Sequence, residues 1–260
     1  MGSSWHAAKH LESCAAMSAA SSSSSACSAA SADAAASFAR RAAHLFAESG
    51  RASTGAEALA RVAKLLEHPS PREAAALYDE ALDLAEADVG RADGPGAGMQ
   101  AADVYRAAAA LALARGEWGA AASLCLRLGE ACDRAGARAS QSRAYLGAVV
   151  AYLHAGDAAA AWAAYCDVEP VGGFGGAEEG IAARALLDAY REGSDEGVRA
   201  AVAKCAALRQ LDGPFARLAV KLPSPMGDVR AMAAALAGAA GGGGGGGGVG
   251  GGGDDEEDIT

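Results

Sequence analysis

The chain has 260 residues, 52% of them hydrophobic but only 5% aromatic, so a core must be built mostly from Ala and a few scattered large side chains. Lys plus Arg number 22 against 32 Asp plus Glu, a net charge of −10, which leaves no basic footprint for nucleic acid. The six cysteines (Cys14, Cys27, Cys125, Cys132, Cys166, Cys205) contain no Cys-x-x-Cys and no signal peptide is recognised, so a reducing, cytoplasmic setting is expected; no run approaches the roughly 20 apolar residues of a membrane span.

In chain order, residues 5–17 predict one amphipathic helix, with Trp5, Ala8, Leu11 and Ala15 at near-helical spacing. Residues 18–32, Ser and Ala with Cys27, read as a disordered insertion or a poor helix, having nothing large to bury. Helical hairpins follow. Residues 33–48 and 56–67 form a first pair, broken near Gly50 and Gly55. His68-Pro69-Ser70-Pro71 ends it, and Pro71 suits the first turn of the next helix. Residues 71–88 and 99–115 form a second pair around a Gly/Pro-rich loop at 90–98. Residues 117–135 and 139–155 form a third. Residues 157–167 open a fourth, interrupted by Pro170 and the glycines up to Gly176. Residues 178–192, 195–207 and 214–221 are shorter closing helices, and 228–238 predict one more. Residues 241–253 are twelve Gly and Val249, a flexible linker whose ends would lie about 20 Å apart on average.

A spaced pattern ties the hairpins together. Asp33, Phe38 and Gly50 recur as Glu73, Tyr78 and Gly90, then as Gly119, Leu124 and Gly136, and Asp157 with Trp162 starts a fourth copy. The large residues are 40, 46 and 38 positions apart. In a second register, Tyr105 precedes Gly116 by the spacing at which Tyr145 precedes Gly156. Such self-similarity marks a stack of helical hairpins. The expected fold is all-α, a right-handed α-solenoid of tetratricopeptide-like hairpins over 33–238. A helix at 1–17 and the low-complexity insert at 18–32 precede it; a disordered, Gly-rich acidic tail at 239–260 follows. Phe38, Leu45, Phe46, Leu65, Leu66, Tyr78, Tyr105, Leu124, Leu126, Tyr145, Tyr152, Trp162 and Tyr190 are expected to supply most of the packing. A stack presents a long curved face, which suits holding partners.

Candidate chemistry is thin. His6 and His10 have metal-compatible spacing, but no third ligand is near in sequence, so surface histidines are the better reading. Cys125 and Cys132 share a helix face, for which packing is the default. Gly172, Gly173, Gly175 and Gly176 lack the preceding strand and the Lys-Ser/Thr of a phosphate loop. No nucleophile, base and acid fall together on rigid elements. No catalytic residue, metal or cofactor is expected, and the chain is read as a non-enzyme.

The segments WHAAKHLESCA (5–15), FARRAAHLFAESGR (38–51), PREAAALYDEALDLAE (71–86), the long stretch 101–157 ending in SQSRAYLGAVVAYLHAGD, RALLDAYREGSDEGVRAAV (184–202) and FARLAVKLPSPMGDV (215–229) resemble the gamma-type soluble NSF attachment proteins of plant-like lineage. The resemblance covers most of 5–229 in order. It implies an adaptor, peripheral on endomembranes, that binds SNARE bundles of syntaxin-type coiled coils and recruits the NSF ATPase for their disassembly in vesicle transport. The family's pattern begins with a further helical segment ahead of Trp5, carrying a membrane-touching loop that this chain is expected to lack.

The end Asp254, Asp255, Glu256, Glu257, Asp258, Ile259 resembles the family's acidic tail. An acidic end alone reads as a solubilising tail. With the resemblance, five carboxylates and one aliphatic anchor become an NSF-binding element, in which charge steers the encounter and Ile259 fixes position. Arg40, Arg41, Arg61, Lys64, Arg106, Arg127 and Arg143 fall on successive helices. They read either as surface ion pairs of about 0–1 kcal/mol each or as a basic face for the SNARE bundle. Arg40, Arg41, Lys64, Arg106, Arg127 and Arg143 are taken as that face, with Arg106 and Arg143 favoured by their shared register. The competing reading is a generic tetratricopeptide-type scaffold unrelated to SNAREs. That class clamps a peptide carboxylate with Asn, which this chain lacks entirely, and repeats at about 34 residues. A hydrolase or transferase on a helical scaffold is a more distant third reading, since it needs a polar pocket with shifted titratable groups.

Overall fold

The computed structural model describes residues 2–21, 28–89 and 99–225; the helix expected at 228–238, the loop at 90–98, the glycine run and the acidic end lie outside them. Among the described residues there is no strand. The long helices are α1 (Gly2–Ser21), α2 (Ser28–Glu48), α3 (Ala52–Leu66), α4 (Pro71–Val89), α5 (Met99–Ala114), α6 (Trp118–Arg134), α7 (Arg138–His154) and α8 (Ala158–Val168). A 3₁₀ turn, Val171–Gly176, leads to α9 (Glu178–Arg191), α10 (Asp195–Lys204), the single turn α11 (Ala206–Arg209) and α12 (Gly213–Val220).

From α1 to α8 each helix packs on its successor, and α1 with α3, α2 with α4, α3 with α5 and α7 with α9 also touch. The helices therefore stand in two layers, odd-numbered and even-numbered, as stacked hairpins require. α12 breaks the alternation by folding back onto α7.

The turns explain the repeat. At Gly116 the amide bonds Leu113 O at 3.1 Å, and the Glu117 amide bonds Ala112 O at 2.9 Å. This is the Schellman closure, with glycine in the left-handed conformation. The same pair of bonds recurs at Gly50, Gly136, Gly156 and Gly193. Phe38-to-Gly50 and Tyr105-to-Gly116 are thus the distance from a helix's packing face to its cap.

The core is Ala spaced by large residues. Phe46, Leu66, Tyr78, Tyr105, Tyr145 and Tyr190 are fully buried. Tyr165 and Phe174, not singled out in the sequence, are buried as well, and Phe174 stacks edge-on against Tyr145 with ring centres 5.5 Å apart. Phe38, Leu45, Leu124, Leu126 and Tyr152 are only partly buried. Leu65 is 47% exposed, contrary to expectation. Leu59, Val62 and Leu66 define the inward stripe of α3, and a residue one step before Leu66 is turned about 100° away from it.

The Ser/Ala run at 18–32, expected as a disordered insertion or a poor helix, is helical wherever it is described. Its ends lie in α1 and α2, where Ala19 and Ala32 are buried with Ala15, Ala35 and Ala36, and Ser31 Oγ donates to Ser18 O at 2.6 Å. Small side chains let the two backbones approach closely, so nothing large is needed to bury the seam. The expected helix 195–207 breaks at Cys205, whose backbone is extended, before α11 begins.

Candidate interaction surface

The candidate cations divide between the two layers. On the even layer, Arg40 of α2 grips α4, with Nη2 2.7 Å from Glu73 and Nε 2.8 Å from Glu80. From the other side, Arg127 of α6 reaches Glu86 of α4 at 2.9 Å and lies over the Tyr105 ring at 5.4 Å. The Tyr105 hydroxyl donates to the same Glu86 carboxylate. Burial alone raises the Glu86 pKa, but the Tyr105 hydroxyl and the Arg127 guanidinium outweigh it and hold the carboxyl below its ordinary value. Arg40 and Arg127 thus act as clasps between neighbouring helices.

On the odd layer, Lys64 of α3 has no carboxylate partner among the described residues. It lines an open groove of about 470 Å³ between α3 and α5, beside Arg61, Tyr78 and Asp103. Arg61 is held by Glu12 and Glu57. Arg106 of α5 bonds Asp103 at 2.7 Å and lies 3.8 Å from Asp212, which precedes α12. Among the described residues Arg143 of α7 donates to Ala139 O of its own helix, at 3.1 Å, and to no carboxylate. Arg106 and Arg143, from α5 and α7, meet at a cavity of about 150 Å³, with Ser140, Asp212 and Phe215 on its walls. The shared register does bring these two arginines together. The back-folded α12 forms part of their surroundings, and no sequence signal pointed to it. Arg41 is exposed on α2.

The remaining candidates are structural in these surroundings. Cys125 is buried and its thiol pKa is pushed well up by desolvation. Cys132 is buried on the same helix. Gly172 and Gly173 carry positive φ within the turn that delivers Phe174 to the core. His6 is edge-on to Trp5, and Glu12 is engaged by Lys9 and Arg61. The six residues Asp254–Ile259 lie outside the described residues. None of the described helices is long and apolar enough to cross a membrane.

Stacked hairpins that keep chargeable side chains on both layers define a helical-repeat interaction protein. A family model described as "Soluble NSF attachment protein, SNAP" matches residues 5–221. The chain is also similar to the gamma-soluble NSF attachment protein of Arabidopsis thaliana, 36% identical over 230 residues that cover 88% of this chain and 73% of that protein. The chain belongs to the soluble NSF attachment protein family, and within it to the gamma type.

Proposed function

We propose that the chain is the adaptor its family membership indicates: it holds a SNARE bundle and brings the NSF ATPase to it for disassembly, during vesicle traffic at endomembranes. The ATPase supplies the chemistry, and the adaptor transmits force through stacked helices. A scaffold unrelated to SNAREs is not favoured by the family match.

The observation that carries the site reading is the difference between the layers. Lys64 of α3 and Arg143 of α7 pair with no carboxylate among the described residues, and Arg106 of α5, which lies between them in the stack, is paired only with the exposed Asp103 and Asp212. An elongated coiled-coil bundle of syntaxin type, with acidic flanks, fits such a row by charge complementarity. Arg41 adds a further exposed cation on α2. Arg40 and Arg127 already hold α4 and serve stability. The acidic end, Asp254 to Asp258 with Ile259, is the ATPase-recruiting element.

A pull-down with assembled SNARE bundle, with and without the ATPase, tests both halves. Lys64→Glu with Arg143→Glu is expected to weaken bundle capture by about tenfold or more, as loss of two cation contacts at roughly 1 kcal/mol each implies. Arg40→Ala is expected to leave capture intact. Removal of residues 254–260 is expected to spare bundle capture and abolish ATPase retention. Unchanged capture by the double reversal, or unchanged ATPase retention by the shortened chain, overturns the corresponding half.

A further inference from the structure

At the end of the stack, α10, α11 and α12 enclose a groove of about 320 Å³. Its apolar lining includes Val202, Leu208 and Val220. Val220 is 71% exposed, the most exposed large aliphatic among the described residues. Arg209, Arg217 and Lys221 stand on the same groove, and among the described residues no carboxylate lines it. None of these three cations forms an ion pair among the described residues; Arg209 donates only to Ala203 O, at 2.8 Å. The combination is an apolar slot beside uncompensated positive charge.

We propose that this groove is the berth of the chain's own acidic end, Asp254–Ile259. The match is chemical: five carboxylates face three unpaired cations, and the single aliphatic side chain of that end, Ile259, fits the slot beside Val220. The match is also one of position. Val220 and Lys221 line the groove, and the described chain ends at Pro225, so the segment that leads to the acidic end starts close to it. The intervening residues 226–253 can span at most about 90–100 Å when extended, so reach does not limit docking. A tether of that kind gives a local concentration on the order of millimolar, enough to hold a contact too weak to form between separate molecules.

The consequence rests on the reading that the acidic end recruits the ATPase. The berth then competes with the ATPase for one element, and the ATPase must extract the end before it can pull on the adaptor. The contact itself stands independently of that reading, because it needs only the groove and the end.

The test uses the full chain, isotopically labelled. The Ile259 methyl and the amides of 254–260 are compared by NMR with those of a synthetic peptide of the same seven residues. The expected result is displaced signals in the chain that return to peptide positions in Arg217→Glu/Lys221→Glu, in Val220→Ser, and at high salt. Melting of each variant confirms that it is folded. ATPase retention by the charge-reversed variant is expected to rise about three- to tenfold as competition is removed. Peptide-like signals in the unaltered chain overturn the berth. Weaker ATPase retention by the variant overturns the competition and would make the groove the ATPase's own landing site. Displaced, variant-sensitive signals together with ATPase retention that ignores removal of 254–260 uphold the berth and overturn the recruitment reading.

Discussion

Single residues are held here by shape as much as by polarity. Gly129 of α6 faces the ring of Tyr145 on α7, and a Cβ added there would lie 2.0 Å from the ring's Cε1, well inside van der Waals contact. Tyr145 is fully buried and edge-on to Phe174, so it cannot swing aside. Gly129→Ala is therefore expected to destabilise the chain by about 1–3 kcal/mol through overpacking, read as a lower urea midpoint with unchanged slope. Gly119, on the same helix, meets nothing within 4 Å when given a Cβ. Gly119→Ala is expected to be neutral or stabilising by up to about 1 kcal/mol through helix propensity. Equal effects at the two positions would show that propensity, not the α6–α7 contact, decides. The sequence marked Gly119 as part of the repeat and gave no hint of Gly129. A glycine demanded by a neighbouring ring leaves no local trace, whereas a glycine demanded by its own φ, such as Gly136, recurs at a fixed distance from the packing residues.

Between elements, the even layer is joined by polar clasps. Glu86 of α4 receives both the Tyr105 hydroxyl of α5 and Arg127 of α6, which makes one carboxylate the junction of three helices. Its folded pKa lies below the ordinary value of 4.5. An unfolded chain therefore takes up this proton at a higher pH than the folded chain does. The contribution of Glu86 to stability is fully present above about pH 4.5 and is lost as pH falls through the lower folded value. Glu86→Gln is expected to remove this share of the acid sensitivity, so that variant and parent converge in stability as pH drops. Urea unfolding between about pH 3 and 7 measures it, and a constant gap across that range would rule the clasp out as its origin. Helix boundaries in this layer were legible because Gly and Pro punctuate them: Pro71 opens α4, and Gly116 and Gly136 bracket α6. The α1–α2 seam was not, since Ser/Ala composition cannot distinguish a loop from a helix whose partner is also Ala. Neither was the break at Cys205, which has no Gly or Pro beside it.

At the scale of the whole molecule, the sequence disclosed the stack and the series of cations, because both recur at the hairpin period. It did not disclose how those cations divide between layers, which depends on partners 33 to 106 residues away, such as Glu73 for Arg40 and Asp212 for Arg106. Nor did it disclose α12 folding back onto α7, a contact outside the repeat. That contact changes how stability is distributed. Among the described residues α1 leans chiefly on α2 and α3, whereas α7 is braced by α6, α8, α9 and α12. A nearest-neighbour stack should open from its less supported end. Leu146, fully buried in α7, and Leu11, partly buried in α1, separate the cases. Leu146→Ala is expected to cost about 2–5 kcal/mol and to speed hydrogen exchange in every helix from α5 to α9. Leu11→Ala is expected to speed exchange in α1 and the facing turns of α2 and α3 while leaving α7 at its parental rate. Exchange in α7 that rises as much for Leu11→Ala as for Leu146→Ala would mean that the chain unfolds as one cooperative body, and that the stack does not pass load from hairpin to hairpin.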